Sequence, residues 1–389
     1  SPRQKEVLWV AVVAFVGLTA LLMRTDRMTE ADPDYAMPWD QHKYMFMASH
    51  NPLDFHIAPF GWRVLNPLLA KMLPFDLATN FSILCFAGLW LTAIVLYFVL
   101  RRMELSGPLA LAGLLFFLGL GWATRLNLYD FWLTDPLAFL FAVGSFWSIL
   151  AGRDVLFAIL LALGVTAKES VVFVAPLYYT FHARTFLDVG RLRRACLLVA
   201  PAVFVLILLR VMIVPLNGNA EYLATIPENA RDANPYTVAW LFESIGRPRI
   251  QEFLAGNVAP YWIGTFGVCL VLLPLFAVRR NLSLLVRFLP FLVLTYSSVL
   301  FATNTSRLIV FAFLAVIPMA LHGMRRISER TGADERLSVA LPLVLFVILL
   351  VRNDGYTVPP LTESLVALAF LALLLQAKDW RPAALLTRR

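Results

Sequence analysis

Long apolar blocks leave this chain few folds to choose from. Runs rich in Leu, Val, Ala and Phe recur along its length, at 7–23, 79–100, 107–123, 134–150, 154–167, 170–183, 195–215, 259–278, 284–301, 307–323, 337–351 and 361–377. A bilayer core of roughly 30 Å is crossed by about 20 residues of helix. In lipid the backbone must satisfy its own hydrogen bonds, which leaves only helices or a closed barrel. The runs lack the alternation of barrel strands, so they read as helices. Charged residues make up only 15% of the sequence, against roughly 25% in soluble domains, which excludes a soluble globular fold. The expectation is an all-α, polytopic transmembrane helical bundle of about 12 spans, some of them short or re-entrant. No internal repeat or soluble domain is visible, so residues 1–389 read as one domain.

Lysine and arginine orient such a bundle, because they are retained on the cytoplasmic side. With the N-terminus inside, the inner loops collect Arg101, Arg102, Arg191, Arg193, Arg194, Arg279, Arg280, Arg325 and Arg326, while most acidic residues fall outside. The net charge of +8 therefore reflects topology, not nucleic-acid binding. This places the chain in the cytoplasmic (inner) membrane with both termini cytoplasmic. The run at 7–23 follows Arg3 and Lys5 but precedes no small-residue cleavage site, so it reads as a first span, not a signal peptide. The run at 154–183 is interrupted by Lys168 and Glu169. One continuous helix would bury Lys168 near the bilayer centre at a cost of several kcal/mol; two short helices meeting at Lys168 avoid that and keep the later arginine-rich loops inside. Cys85, Cys196 and Cys269 lie in or beside apolar runs with no metal-ligand spacing and read as buried, inert thiols. Two outer loops are long, 24–78 and 216–258. In the second, Leu241, Ile245, Phe253 and Leu254 could lie on a membrane surface.

The outer loops hold the polar chemistry. In the first, Asp40, Tyr44 and Ala48 are four apart and share one face of a short helix. Asp40 sits at its N-terminus, where a carboxylate is favoured by the helix dipole; it reads either as a cap or as a general base. A second amphipathic helix follows Arg63, through Pro67-Leu68-Leu69. Thr134-Asp135-Pro136 and Ala167-Lys168-Glu169-Ser170 mark further outer span ends.

This pattern resembles the GT-C superfamily of integral-membrane glycosyltransferases over roughly residues 1–180. The resemblance implies a GT-C-like bundle whose first extracytoplasmic loop bears an essential acid, matched by Asp40. It also implies a polyprenyl-phosphate-linked sugar donor, with a glycan, lipid or protein as acceptor, and an active site on the extracytoplasmic face. The C-terminal soluble domain of many such enzymes is not seen, which leaves the acceptor open. The chemistry agrees: an acceptor hydroxyl needs a base, and a lipid-phosphate leaving group needs no general acid, only cations or a metal to stabilise its charge. Asp40 is the candidate base. Arg63, Lys168 and Arg307 are candidates for the donor phosphate, although long cationic side chains also snorkel at helix ends. Asn304, Thr305 and Ser306 give Arg307 an uncharged setting in sequence. Tyr44, His42, His56, Arg125, Asp130, Asp135 and Glu169 could line the cavity, and Arg125 with Asp130 could equally form a structural pair. Asp32-Pro33-Asp34 resembles a metal-holding Asp-x-Asp motif, which with His42, His50 and His56 could hold a divalent cation such as Mg or Mn. The competing readings are a transporter or flippase of a lipid-linked sugar, a polysaccharide polymerase or ligase, and a non-catalytic assembly subunit. Beyond donor and acceptor the expected partner is membrane lipid; no nucleic acid is expected.

Overall fold

The computed structural model describes residues 2–28, 40–185, 187–302, 304–352 and 355–379, and among them every regular element is helical, with no strand. Helix α1 (Pro2–Met23) leads to the first long loop, which carries α2 (Asp40–Ser49) and α3 (Leu65–Met72). Asp76 caps α4 (Leu77–Arg102) by accepting from Thr79 N at 2.9 Å. Next come α5 (Gly107–Gly119), α6 (Asp135–Leu150) and α7 (Asp154–Ala167). The longer helices that follow are α8 (Ala175–His182), α9 (Val189–Met212), α10 (Val258–Leu272), α11 (Val278–Ser297), α12 (Phe313–Thr331), α13 (Ala340–Val351) and α14 (Pro360–Asp379), with shorter helical turns between them.

Among the described residues, five helical segments are long and apolar enough to cross a membrane: Gln4–Met23, Leu77–Arg102, Val189–Met212, Ala259–Phe301 and Thr305–Thr331. Apolar α5, α6 and α7 are shorter; at about 1.5 Å per residue each falls short of a bilayer core. The outer surface is apolar along much of the bundle. Helix α9 turns Leu197, Phe204, Ile207 and Val211 outward, and α11 does the same with Val286, Leu289 and Val293. A surface of this kind is unusual for a soluble monomer and natural in hydrocarbon. At the centre stands the segment Thr305–Thr331, whose residues 309–318 are all buried. It can sit close to its neighbour because position 323 is glycine: a Cβ there would lie 1.8 Å from the Leu273 carbonyl oxygen.

The chain reverses at Lys168. Helix α7 ends at Ala167, and Lys168 adopts extended backbone (φ −160°, ψ 132°). Lys168 meets Asp135 at one end of α6, while Phe181 packs against Phe146 three turns along it, with ring centroids 5.0 Å apart. The return leg is less regular than a continuous helix over 170–183. Glu169–Val174 is 3-10 helix, and α-helix resumes only at Ala175, with Pro176 in its first turn. Proline is tolerated there but would clash with the preceding turn further in.

Helix α10 is broken. Gly267 takes φ 77° and ψ 171° inside it, and the freed N–H groups of Val268 and Cys269 donate to the carboxylate of Glu363 on α14 at 2.6 and 2.9 Å. Of the four apolar residues expected on a membrane surface in the second loop, Leu254 is exposed and Leu241, Ile245 and Phe253 are half-buried. They are split between the short helices Val238–Leu241 and Arg247–Leu254 and the π-helical turn Phe242–Gly246 joining them.

Candidate active site

Helix α2 begins at Asp40, in the first long loop, and buries Tyr44 and Ala48 on the bundle. The carboxylate of Asp40 thereby reaches the start of the central segment, where Arg307 Nη1 donates to its Oδ2 at 3.0 Å. Arg307 is itself placed by Asn304, whose side chain caps the short helix Thr305–Ile309 by accepting from Arg307 N. The same guanidinium donates from Nε and Nη2 to Asp135 Oδ2 at 2.9 and 2.7 Å. Lys168 Nζ donates to Asp135 Oδ1 at 2.5 Å. Four segments remote in sequence thus converge in one chain of charges, Asp40–Arg307–Asp135–Lys168. The uncharged setting that Arg307 has in sequence becomes, in space, two carboxylates.

A second group joins through the backbone at Glu169. Arg63 donates to both carboxylate oxygens of Glu169, at 3.0 and 2.6 Å, and from Nη1 to the Tyr44 hydroxyl at 3.2 Å. On the α2 side, Lys43 lies 3.7 Å from Asp232 of the second long loop and 4.6 Å from the centre of the Phe60 ring. The Tyr236 hydroxyl donates to Asp232 at 2.5 Å. Four carboxylates face four cations, so the network is close to neutral. Its interior holds a void of about 10 Å³ lined by Asp135, Lys168 and Arg307 among others. That is space for about one water molecule and far too little for a sugar.

Burial alone would raise the Asp40 carboxyl, but Arg307, Lys43 and Arg63 outweigh it and hold Asp40 below the usual carboxylate range. Burial pushes the Tyr44 phenol up to about 12. Burial lowers the Lys43 ammonium against the opposing pull of Asp40 and Asp232. At neutral pH, then, Asp40 is ionised and Tyr44 carries its proton.

Seven of the residues singled out in the sequence meet here: Asp40, Tyr44, Arg63, Asp135, Lys168, Glu169 and Arg307. Others do not. His56 is turned to the second loop, with Nδ1 2.9 Å from the Val214 carbonyl oxygen and its ring edge-on to Tyr222. His42 is buried, its Nδ1 3.2 Å from the Asn229 amide. His50 stacks on Phe46. Arg125 donates to the carbonyls of Gly355, Arg352 and Arg24, tying its own segment to two others. Asp130 is buried near the network and adds to the negative field around Arg307. Asp32 and Asp34 lie outside the described residues. Among the described residues no three His, Cys, Asp or Glu side chains converge to hold a metal ion, and the carboxylates of the network face cations.

Lys43, Asp232 and Tyr236 were not singled out. Lys43 carried a signal: it stands three residues after Asp40 on a helix, where side chains are neighbours. Asp232 and Tyr236 carried none, because only folding brings the second loop onto α2. A larger cavity of about 870 Å³ lies at the opposite end of the bundle, lined by Arg101, Arg102 and Trp147 among others, far from this cluster. No model of a known protein family matches the chain, and no curated protein is detectably similar to it.

Proposed function

We propose that this chain is an integral-membrane glycosyltransferase of GT-C type. It takes a sugar from a polyprenyl-phosphate donor and passes it to a hydroxyl on a glycan, lipid or protein. In this reading the apolar blocks cross the inner membrane about twelve times, both termini are cytoplasmic, and the network of charges faces the extracytoplasmic side. The observation that carries it is the Arg307 guanidinium held between Asp40 and Asp135, with Lys168 alongside.

The chemistry follows from the charge balance. A donor phosphate is a better partner for Arg307 and Lys168 than two carboxylates already shared. As it binds, Arg307 is drawn from Asp40. Asp40 then loses the strongest influence holding its pKa down and becomes a more capable base. Asp40 takes the proton of the acceptor hydroxyl as that oxygen bonds to the anomeric carbon. The bond from anomeric carbon to phosphate oxygen breaks, and the phosphate leaves with the electron pair, its charge met by Arg307, Lys168 and Arg63.

The test is transfer from short-chain polyprenyl-phosphate sugars by the protein in nanodiscs, wild type against Asp40→Asn. The expected outcome is loss of about 10²–10⁴-fold in rate with an unchanged thermal melt. Full activity in the variant would remove Asp40 from the role. A second reading, a transporter of lipid-linked sugars, is favoured by one observation, the break in α10 at Gly267 with Glu363 across it; interrupted helices beside an ionisable residue are common in transporters. No transfer from any donor, together with substrate-dependent flux in liposomes, would select that reading.

A further inference from the structure

A second site stands at the other end of the bundle, where α11 begins and α12 ends. There a cavity of about 630 Å³ is lined by Arg279, Arg280, Arg325, Arg326 and Arg330, with Glu329 the one acid among its walls. Glu329 engages Arg325 and Arg326 at 3.2 and 3.0 Å. Arg279, Arg280 and Arg330 have no ion-pair partner among the described residues. His322, 3% exposed, lines the same cavity, and its Nδ1 makes no hydrogen bond. The first turn of α11 forms part of the wall; it has no side-chain cap and no acid, so its N–H groups add to the positive field.

The neighbouring cavity of about 870 Å³ shows that arginine at this end does not by itself make an anion site. Its rim pairs Arg101 with Glu6 at 3.2 Å, and Glu104 and Glu335 offset the remaining cations. The arginine-rich cavity has no such balance. It is also walled by Leu275, Phe276 and Val278, all exposed. Phe276 is at the same time a wall of an apolar slot of about 240 Å³ between α10 and α14, lined by Leu272, Leu368 and Phe370 among others. A cationic bowl joined to a hydrocarbon slot has the shape of an amphiphile.

We infer that this bowl and slot hold one anionic phospholipid of the surrounding leaflet, with two phosphates in its headgroup against Arg279, Arg280 and Arg330 and an acyl chain past Phe276. Three unpaired guanidinium forks exceed what a single phosphate diester carries, and basic pockets between membrane helices on the cytoplasmic side are suited to such headgroups. The inference rests on the membrane reading above but not on sugar transfer.

The experiment reconstitutes the whole chain in phosphatidylcholine nanodiscs containing a minority of cardiolipin, and native mass spectrometry counts the lipid retained after extraction. Parallel arms replace cardiolipin with phosphatidylglycerol, or add inorganic pyrophosphate as a soluble competitor. Wild type should keep one cardiolipin in preference to phosphatidylglycerol. Combined Arg279→Gln, Arg280→Gln and Arg330→Gln should weaken retention on the order of 100-fold, the matching lysine substitutions should restore most of it, and Arg102→Gln at the balanced cavity should change nothing. Should the triple glutamine variant not fold, Arg279→Gln alone should weaken retention roughly fivefold. Equal retention by wild type and the glutamine variants overturns the inference, as does equal retention of the single-phosphate lipid. Displacement by pyrophosphate at equal concentration overturns it in favour of a soluble polyanion. Lipid retention without sugar transfer would leave it standing while the transferase reading fell; failure to enter the bilayer would end both.

Discussion

At the scale of single residues, Arg307 is the hinge of the network because its planar guanidinium presents separate N–H groups to two carboxylates at once. Its three nitrogens are divided between Asp40 and Asp135, and a lysine point charge cannot reproduce that fork. Arg307→Met leaves Asp40 and Asp135 under-compensated and should destabilise the fold by about 3–5 kcal/mol; Arg307→Lys should cost less, and a denaturation series on both measures the order. Equal stability of Arg307→Met and wild type would mean that the network is not held out of water. Glu169 lies in the turn between α7 and α8, where burial would raise its carboxyl, but the two hydrogen bonds and charge of Arg63 bring it down to about 2. Its ordinary value is about 4.3. A depressed carboxylate stabilises the folded state above its unfolded pKa and ceases to do so as pH falls through the folded one. The melting temperature should therefore fall between about pH 5 and pH 2, and Glu169→Gln should flatten that limb. An unchanged acid limb in the variant would show that Arg63 and Glu169 do not pair in solution.

At the scale of elements, the break in α10 depends on two residues acting together. Gly267 is in a region of backbone space that side chains rarely adopt, and a Cβ there would lie 2.5 Å from a Glu363 oxygen. Glu363 takes the place of the helical carbonyls that Val268 N and Cys269 N have lost. Glu363→Ala strands both donors away from water, at about 1–3 kcal/mol each. Gly267→Ala adds backbone strain of order 1–3 kcal/mol to the steric conflict. Both should lower the melting temperature in detergent, and Glu363→Gln, which keeps one acceptor, should do so less. A neutral Gly267→Ala would show that α10 is continuous in solution. The turn at Lys168 was legible in the sequence because a buried cation in mid-membrane is too costly to be a span centre. The break at Gly267 was not, because a glycine inside an apolar run is ordinary and the carboxylate that caps the break lies 95 residues beyond Val268, on α14.

At the scale of the whole molecule, the charge asymmetry and the network make one joint statement. The long loops that build the network and the arginine-rich cavities lie at opposite ends of the bundle. In the proposed topology a cysteine at Glu228 is labelled by an impermeant thiol reagent from outside intact cells, and one at Arg193 only after the membrane is opened. Cys196, expected from its place beside an apolar run to be buried, is in fact exposed, unlike Cys85 and Cys269, and is first replaced by serine. Labelling of both positions from the same side would overturn the topology and, with it, the placement of Asp40 on the extracytoplasmic face.

What the sequence determined by itself was helix and its setting. Apolar runs leave the backbone no other way to satisfy its hydrogen bonds in lipid, and the run lengths, the interruption at Lys168 and the sidedness of arginine are all local properties. Four charges of the network were conspicuous for a related reason: Asp135, Lys168, Glu169 and Arg307 stand at the ends of apolar runs, where a charge is costly enough to call for a purpose, whereas Asp40 and Arg63 stand within the first long loop. Only the tertiary structure decided how they are partnered. Whether Arg307 meets a phosphate or a carboxylate, whether Arg125 joins Asp130 or clamps three carbonyls, and whether Asp232 reaches Lys43 all depend on which helix ends pack side by side. Electrostatic pairing acts over a few ångströms in space, and spacing along the chain carries almost no record of it.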